Sequence, residues 1–230
     1  MAIEIVLFDA VGTLIEPSPP VAQAYAGAGK RHGCSLDERE IASRFSQALS
    51  ATDWSGPTNG DVERHRWRTI VAEVFRETGA ALDGLFDQLW RHFGESRNWR
   101  VYPDVAVSWQ HLESIGVQIG VASNFDARLL DVVRGLESLD RARHVVCSSQ
   151  IGFSKPSLEF FRTVERRLGF ESDAILMVGD DRKNDYEAAI AAGWRAVHLD
   201  RRGGAGGSSI ESLDELVHCE PLVLGLGGSG

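Results

Sequence analysis

The chain has 230 residues, 43% of them hydrophobic and 25% charged, with a net charge of -9. That is room for one large domain or a core with a smaller insert, at a composition ordinary for a globular protein. The acidic balance argues against a nucleic-acid partner or an anionic membrane surface, both of which select basic faces, and no apolar run nears the roughly 20 residues that span a bilayer. The three cysteines, Cys34, Cys147 and Cys219, are far apart and in no metal-ligand spacing, so they read as reduced thiols. The first strand begins within a few residues of Met1 and leaves no room for a cleavable leader, which points to the cytoplasm.

Ile3 to Phe8, apolar but for Glu4, reads as a buried strand ending at Asp9, with Gly12 and Thr13 just beyond. Ile15 to Pro20 carries three prolines and suits a hinge or loop. Four helices are predicted next. The first starts at Pro20 and runs through Val21, Tyr25 and Ala28 to Gly33. The second carries Ile41, Phe45 and Leu49, with Ser35 and Glu38 spaced as a capping box. The third runs from Asp61 to Thr78 with Val62, Trp67, Ile70, Val71, Val74 and Phe75 on one face, and the fourth from Asp83 to Arg97 with Phe86, Leu89, Trp90 and Phe93. No strand pattern interrupts them, so 16–100 reads as an all-helical bundle.

From Val101 strands and helices alternate. A helix from Asp104 to Ile115 leads into a strand over Val117–Ala122, and a helix over Ala127–Leu139 into a strand over His144–Cys147. A helix over Ser157–Leu168 precedes the strand Ala174–Val178, and a short helix at 184–192 precedes Arg195–Leu199. Such alternation predicts a doubly wound, Rossmann-like parallel sheet with right-handed crossovers. A Gly-rich loop over Gly203–Gly207, a last short helix over Ser209–Val217 and a flexible tail at 223–230 complete the chain. The predicted organisation is an α/β core at 1–15 and 101–222 with the helical cap, 16–100, inserted after the first strand.

Open α/β sheets bind ligands outside the carboxyl ends of their strands, and four polar stretches fall there. They are Asp9-Ala10-Val11-Gly12-Thr13, Ser123-Asn124, Ser154-Lys155-Pro156, and Gly179-Asp180-Asp181-Arg182-Lys183-Asn184-Asp185. In this order they resemble motifs I to IV of the haloacid dehalogenase-like hydrolases, and the resemblance covers nearly the whole chain. A helical insert after motif I is similar to the cap of one branch of that family. One residue departs: the second aspartate of motif I, the family's usual general acid/base, is Val11. An Asp-x-x-x-Thr motif I is similar to that of haloacid dehalogenase-like hydrolase domain-containing proteins.

The resemblance implies that Asp9 is a nucleophile attacking phosphorus, with Lys155 beside it and Thr13, Ser123, Asn124 and Lys155 holding the phosphate. It implies Mg²⁺ on Asp9, Asp180 and the carbonyl of Val11, with Asp185 in support. Such chemistry suits the residue types: carboxylates form covalent phosphoryl intermediates, Mg²⁺ prefers oxygen ligands, and three carboxylates within six residues repel one another unless solvated or metal-bound. Taken singly, Thr13, Ser123 and Asn124 are ordinary turn residues, Lys155 an ordinary solvated lysine and Asp126 a helix cap. Asn184 also fits a helix cap, and Asp181 has no assigned part. Arg64-His65-Arg66-Trp67-Arg68 reads as the solvated side of a helix, and the seven scattered histidines make no transition-metal pattern.

The expected activity is a Mg²⁺-dependent phosphatase of a small phosphorylated metabolite, its missing acid costing about 10²–10⁴-fold unless the cap or Glu16 replaces it. A non-catalytic binding or regulatory protein on the same fold is the second reading. A 2-haloacid dehalogenase is the third: its motif I also lacks the second aspartate, but it has no use for the acidic cluster at 180–185. Oligomeric state is not written in the sequence.

Overall fold

The computed structural model describes residues 2–54, 56–76, 81–204 and 209–219. Five parallel strands form the central sheet: β1 (Ile5–Phe8), β4 (Gln118–Ser123), β5 (His144–Cys147), β6 (Ile175–Gly179) and β7 (Arg195–His198), in the order β5-β4-β1-β6-β7. β1 lies at the centre, with Phe8 opposite Val121 on one side and Val178 on the other. A strand hydrogen-bonded on both edges and covered on both faces must be apolar at every position. All four residues of β1 are buried. Period-two alternation divides them: Val6 and Phe8 join the cluster under α5 (Val105–Ser114) and α6 (Arg128–Arg134), where Trp109, Leu112 and Leu129 lie. Ile5 and Leu7 join the other, with Phe160, Phe161 and Val164 of α8 (Leu158–Leu168) and Ala189 of α9 (Ala188–Ala191). This is the doubly wound core that the alternating pattern predicts.

Four helices form the cap: α1 (Val21–Arg31), α2 (Glu38–Ala51), α3 (Gly60–Val74) and α4 (Leu82–His92). They pack around Tyr25, Ile41, Val71, Phe75, Phe86 and Leu89. α2 begins two residues later than a Ser35 cap requires, because the Asp37 carboxylate accepts the N–H of Glu40 at 2.8 Å and outcompetes the serine hydroxyl. α3 is capped by Asn59, which accepts from Asp61 and Val62, and it stops at Val74; Thr78 lies outside the described residues. α4 ends at His92, and a separate 3₁₀ turn at Ser96–Asn98 occupies the stretch expected to extend it to Arg97.

The Pro-rich stretch is not only a loop. β2 (Ile15–Pro17) pairs antiparallel with β3 (Trp99–Val101), joining the two chain crossings between core and cap. α6 stops at Arg134 and Leu139 belongs to a 3₁₀ turn, while a one-turn helix α7 (Ser148–Ile151) follows β5. The final helical stretch is 3₁₀, Leu213–His218. Most of the Gly203–Gly207 loop and the whole tail 223–230 lie outside the described residues. No described helix is long and apolar enough to cross a membrane.

Candidate active site

Asp9 follows β1 directly, and its N–H donates to the Val178 carbonyl at 2.9 Å, so sheet pairing reaches the carboxylate-bearing residue itself. The chain then turns tightly: Leu14 and Ile15 N–H both donate to the Ala10 carbonyl, and Gly12 adopts φ +89. A Cβ on Gly12 would lie 2.3 Å from Asp180 Oδ2, so only glycine lets the motif I and motif IV loops close on each other. Thr13 is fully buried and fastens the same two loops: its hydroxyl donates to Asp180 Oδ1 at 3.0 Å and accepts the Asp180 N–H at 3.0 Å. Neither Thr13 nor Asn124 is a turn residue bonded to its own backbone. Asn124 spans to the next strand connection, its amide donating to the Lys155 carbonyl at 2.7 Å and accepting the Lys155 N–H at 2.8 Å. Ser123, at the end of β4, is buried.

Lys155 is 2% exposed, not solvated. Its ammonium has three N–H groups and three acceptors: Asp9 Oδ1 at 2.8 Å, Asp185 Oδ1 at 2.5 Å and the Ala122 carbonyl at 2.9 Å. Burial alone would discharge it, but the two carboxylates win and hold its pKa above the ordinary lysine value. Asp185, 1% exposed, is pushed up by its burial against the pull of Lys155. Asp185 also accepts the Asp181 N–H at 3.1 Å. Its place depends on Gly179, where a Cβ would sit 2.2 Å from Asp185 Oδ2.

Asp180 stands at the exposed rim of this cluster, yet burial of its carboxyl against the loops, and then the charge of Asp9, push it up to about 6. Asp9, Asp180 and Asp185 each present a ligand atom within 4.8 Å of the others. Three carboxylates against one ammonium leave negative charge uncompensated. An oxygen-only donor set with excess negative charge, open on the Asp180 side, fits a hard divalent cation. Asp181 and Asn184 turn away. Asp181 caps the helical turn at Arg182–Glu187, accepting from the N–H groups of Lys183 and Asn184 at 2.9 Å, and the Asn184 amide packs back on it at 2.7 Å.

Val11 is 37% exposed, so the residue in place of the usual acid is an open apolar surface beside the site and not a packed core valine. Glu16 sits on β2 and accepts two hydrogen bonds from Arg100 of β3, one at 2.8 Å. Asp126 lies one residue before the Ala127 N-cap of α6, where it accepts the Arg128 N–H at 3.0 Å and pairs with its guanidinium. Arg64 and Arg68 pair at the surface with Asp87 and Asp83 of α4.

Other contributors have no local signature in the sequence. Arg201 donates to the Thr13 carbonyl at 2.7 Å while paired with Asp104, tying motif I to the segment after β7 and the start of α5. His198 Nε2 lies 3.2 Å from the Asp180 carbonyl and braces motif IV from β7. Gly179 alone carries a local signal, as part of a Gly-Asp pair at a strand end.

A model of the haloacid dehalogenase-like hydrolases matches residues 3–193. The chain is 28% identical over 201 residues to the mouse haloacid dehalogenase-like hydrolase domain-containing protein 3, covering 84% of this chain and 80% of that one. Among solved structures it superposes on the putative HAD-hydrolase YfnB from Bacillus subtilis bound to magnesium with a TM-score of 0.77 at 18% identity, over 95% and 98% of the two chains. It also superposes on L-2-haloacid dehalogenase from Xanthobacter autotrophicus with a TM-score of 0.74 at 19% identity, over 98% and 100%. At such identities the superpositions speak for the fold alone. With four strand-end motifs drawn to one cleft and the family match running through all of them, the chain belongs to the haloacid dehalogenase-like hydrolases.

Proposed function

We propose that this hydrolase is a Mg²⁺-dependent phosphatase of small phosphorylated metabolites, with Asp9 as nucleophile. The observation that carries the reading is the grouping of Asp9, Asp180 and Asp185 around one lysine. Attack on carbon in a haloacid needs one carboxylate and a lysine, whereas an acidic cluster beside the nucleophile would repel an anionic substrate unless a cation offsets it. Asp9, Asp180, the Val11 carbonyl and Asp185 behind them would hold Mg²⁺, which supplies charge neutralisation for the transferring phosphoryl group. The protein's own part is positional. Lys155 holds Asp9 Oδ1, which would leave the other oxygen to attack phosphorus, and Thr13 locks motif I to motif IV. Ser123, buried at the end of β4, would donate to phosphate oxygens.

Screening aryl, acyl and alkyl phosphates alongside 2-chloropropionate, with Mg²⁺ or EDTA, tests the reading. Metal-dependent phosphate release supports it, and halide release insensitive to EDTA would replace it with a dehalogenase. Silence towards every substrate would favour a non-catalytic role. Asp9→Asn is expected to abolish release while circular dichroism and the thermal midpoint stay close to those of the parent.

A further inference from the structure

We propose that the phosphoryl group taken by Asp9 outlives the step that transfers it, so that with acyl or aryl phosphates the protein accumulates as a phosphoenzyme. The inference rests on the phosphatase reading and concerns the second half of that reaction. In the first half an Asp9 carboxylate oxygen bonds to phosphorus as the bond from phosphorus to the leaving oxygen breaks. A carboxylate or 4-nitrophenolate leaves with the electron pair and needs no proton in order to depart. In the second half a water oxygen bonds to phosphorus, the Asp9–phosphorus bond breaks, Asp9 recovers its carboxylate, and one proton of the water must pass to a base. That second half is the same whatever the donor, because the intermediate is the same. Lack of an acid/base group therefore spares the first half for a good leaving group and always burdens the second.

The surroundings of the cleft sharpen the asymmetry. Val11, next but one to the nucleophile, is 37% exposed and carries no ionisable group. The carboxylates on neighbouring elements already have partners that a water would have to displace. Glu16 is held by Arg100, with one bond at 2.8 Å. Asp126 is held by Arg128 at 2.6 and 2.8 Å. Asp181 takes three hydrogen bonds from Lys183 and Asn184. Glu63, the buried acid of the cap, accepts from Ser148 and Thr58. His198 is 8% exposed and lies behind the motif IV backbone, its Nε2 at the Asp180 carbonyl. Among the described residues, the groups that remain at the centre are the nucleophile, its lysine and the two carboxylates assigned to the cation. Loss of the general base costs about 10²–10⁴-fold in the second half, which sets the imbalance between formation and hydrolysis of the phosphoenzyme.

Rapid-quench kinetics of the full chain with Mg²⁺ and 4-nitrophenyl phosphate or acetyl phosphate tests this. The expected result is a burst of leaving group approaching one per chain, at least about 10²-fold faster than the steady rate. Acid-quenched protein should carry one phosphoryl group, mapped to Asp9 by peptide mass spectrometry and removed by hydroxylamine. Val11→Asp should raise the steady rate until the burst disappears; should that variant misfold, the burst and label of the parent decide the matter. Linear turnover from the first cycle with no trapped phosphoryl group would overturn accumulation and leave the phosphatase reading standing. Neither product nor label from either donor would overturn both.

Discussion

Val11 and Asp180 show how much of the chemistry rests on single positions. Because Val11 is 37% exposed, an aspartate there keeps contact with solvent, although a fourth acid beside the uncompensated cluster should cost about 1 kcal/mol in the metal-free protein. A carboxyl there could protonate a departing alkoxide. The gain should therefore be large for alkyl phosphates, up to about 10²–10⁴-fold, and small in the first half-reaction of aryl or acyl phosphates. A folded Val11→Asp protein that gains nothing on alkyl phosphates would show that another residue already acts as the acid. Asp180 supplies a pH dependence. Burial and the charge of Asp9 push its carboxyl up to about 6, and only the ionised form binds a cation, so apparent Mg²⁺ affinity should weaken by about tenfold per pH unit or more as pH falls below that value. Calorimetric titration of Mg²⁺ between pH 5 and about 8 reads this directly. Asp180→Asn should be weak throughout, with no inflection near 6; an affinity unchanged from the parent would remove Asp180 from the ligand set.

Elements hold the site through pairs distant in sequence. Asp104, at the start of α5, receives Arg201 at 2.8 and 3.0 Å, the Leu213 N–H at 2.8 Å and the Ser212 hydroxyl at 3.0 Å. Its burial pushes the carboxyl up, but these donors outweigh burial and hold it below its ordinary 3.8. An acid whose folded pKa is depressed stabilises the fold above the unfolded value and loses that contribution as pH falls through the folded value. Urea midpoints should therefore drop as pH falls below about 3.8, and Asp104→Asn should flatten that limb while costing about 1.5–3 kcal/mol at neutral pH. A variant with an undiminished acid limb would place the titration elsewhere. Such pairs mark the limit of what the chain discloses. Strand ends and the loops after them are local patterns, so Asp9, Ser123, Lys155 and Asp180 could be placed at one sheet edge from periodicity and topology. At the start of α2, Ser35 and Asp37 both suit an N-cap, and spacing alone does not say which of them takes the free N–H groups. Three-residue strands such as β2 and β3, one of them ending in proline, carry too few positions for alternation to register. Arg201 with Thr13 and Glu63 with Ser148 join residues far apart in sequence and are legible only once the tertiary fold is known.

At the scale of the whole molecule, the question is what seats the cap over the cleft. Contacts among the described residues do so besides the β2–β3 ribbon. Pro57 bridges Phe153, with the Thr58 N–H donating to the Gly152 carbonyl at 2.8 Å, just ahead of Lys155. The Arg128 guanidinium lies 3.3 Å over the Trp90 ring and donates to the Trp90 carbonyl at 2.5 Å. Glu63 of α3 reaches the core, accepting from the Ser148 hydroxyl while Thr58 donates from within the cap at 3.3 Å. This carboxyl is 4% exposed. Burial raises its pKa above the ordinary 4.5, Asp126 adds to that, and the two hydroxyls and Arg66 oppose it without reversing it. For an acid raised in the folded state the sign is opposite to that of Asp104: its contribution is complete below the unfolded value and is lost as pH rises through the folded one. The seated cap therefore favours the protonated acid. Glutamine keeps a carbonyl to accept from both hydroxyls but cannot ionise. Glu63→Gln should match the parent in thermal midpoint near pH 4.5 and exceed it at pH 8, whereas Glu63→Ala should lose the bridge at both. Hydrogen exchange should localise the gain to α3 and the Pro57–Thr58 loop, leaving β1 and β6 unchanged. If the glutamine protein is less stable than the parent at pH 8, the ionised carboxylate is itself part of the seat and burial does not dominate there.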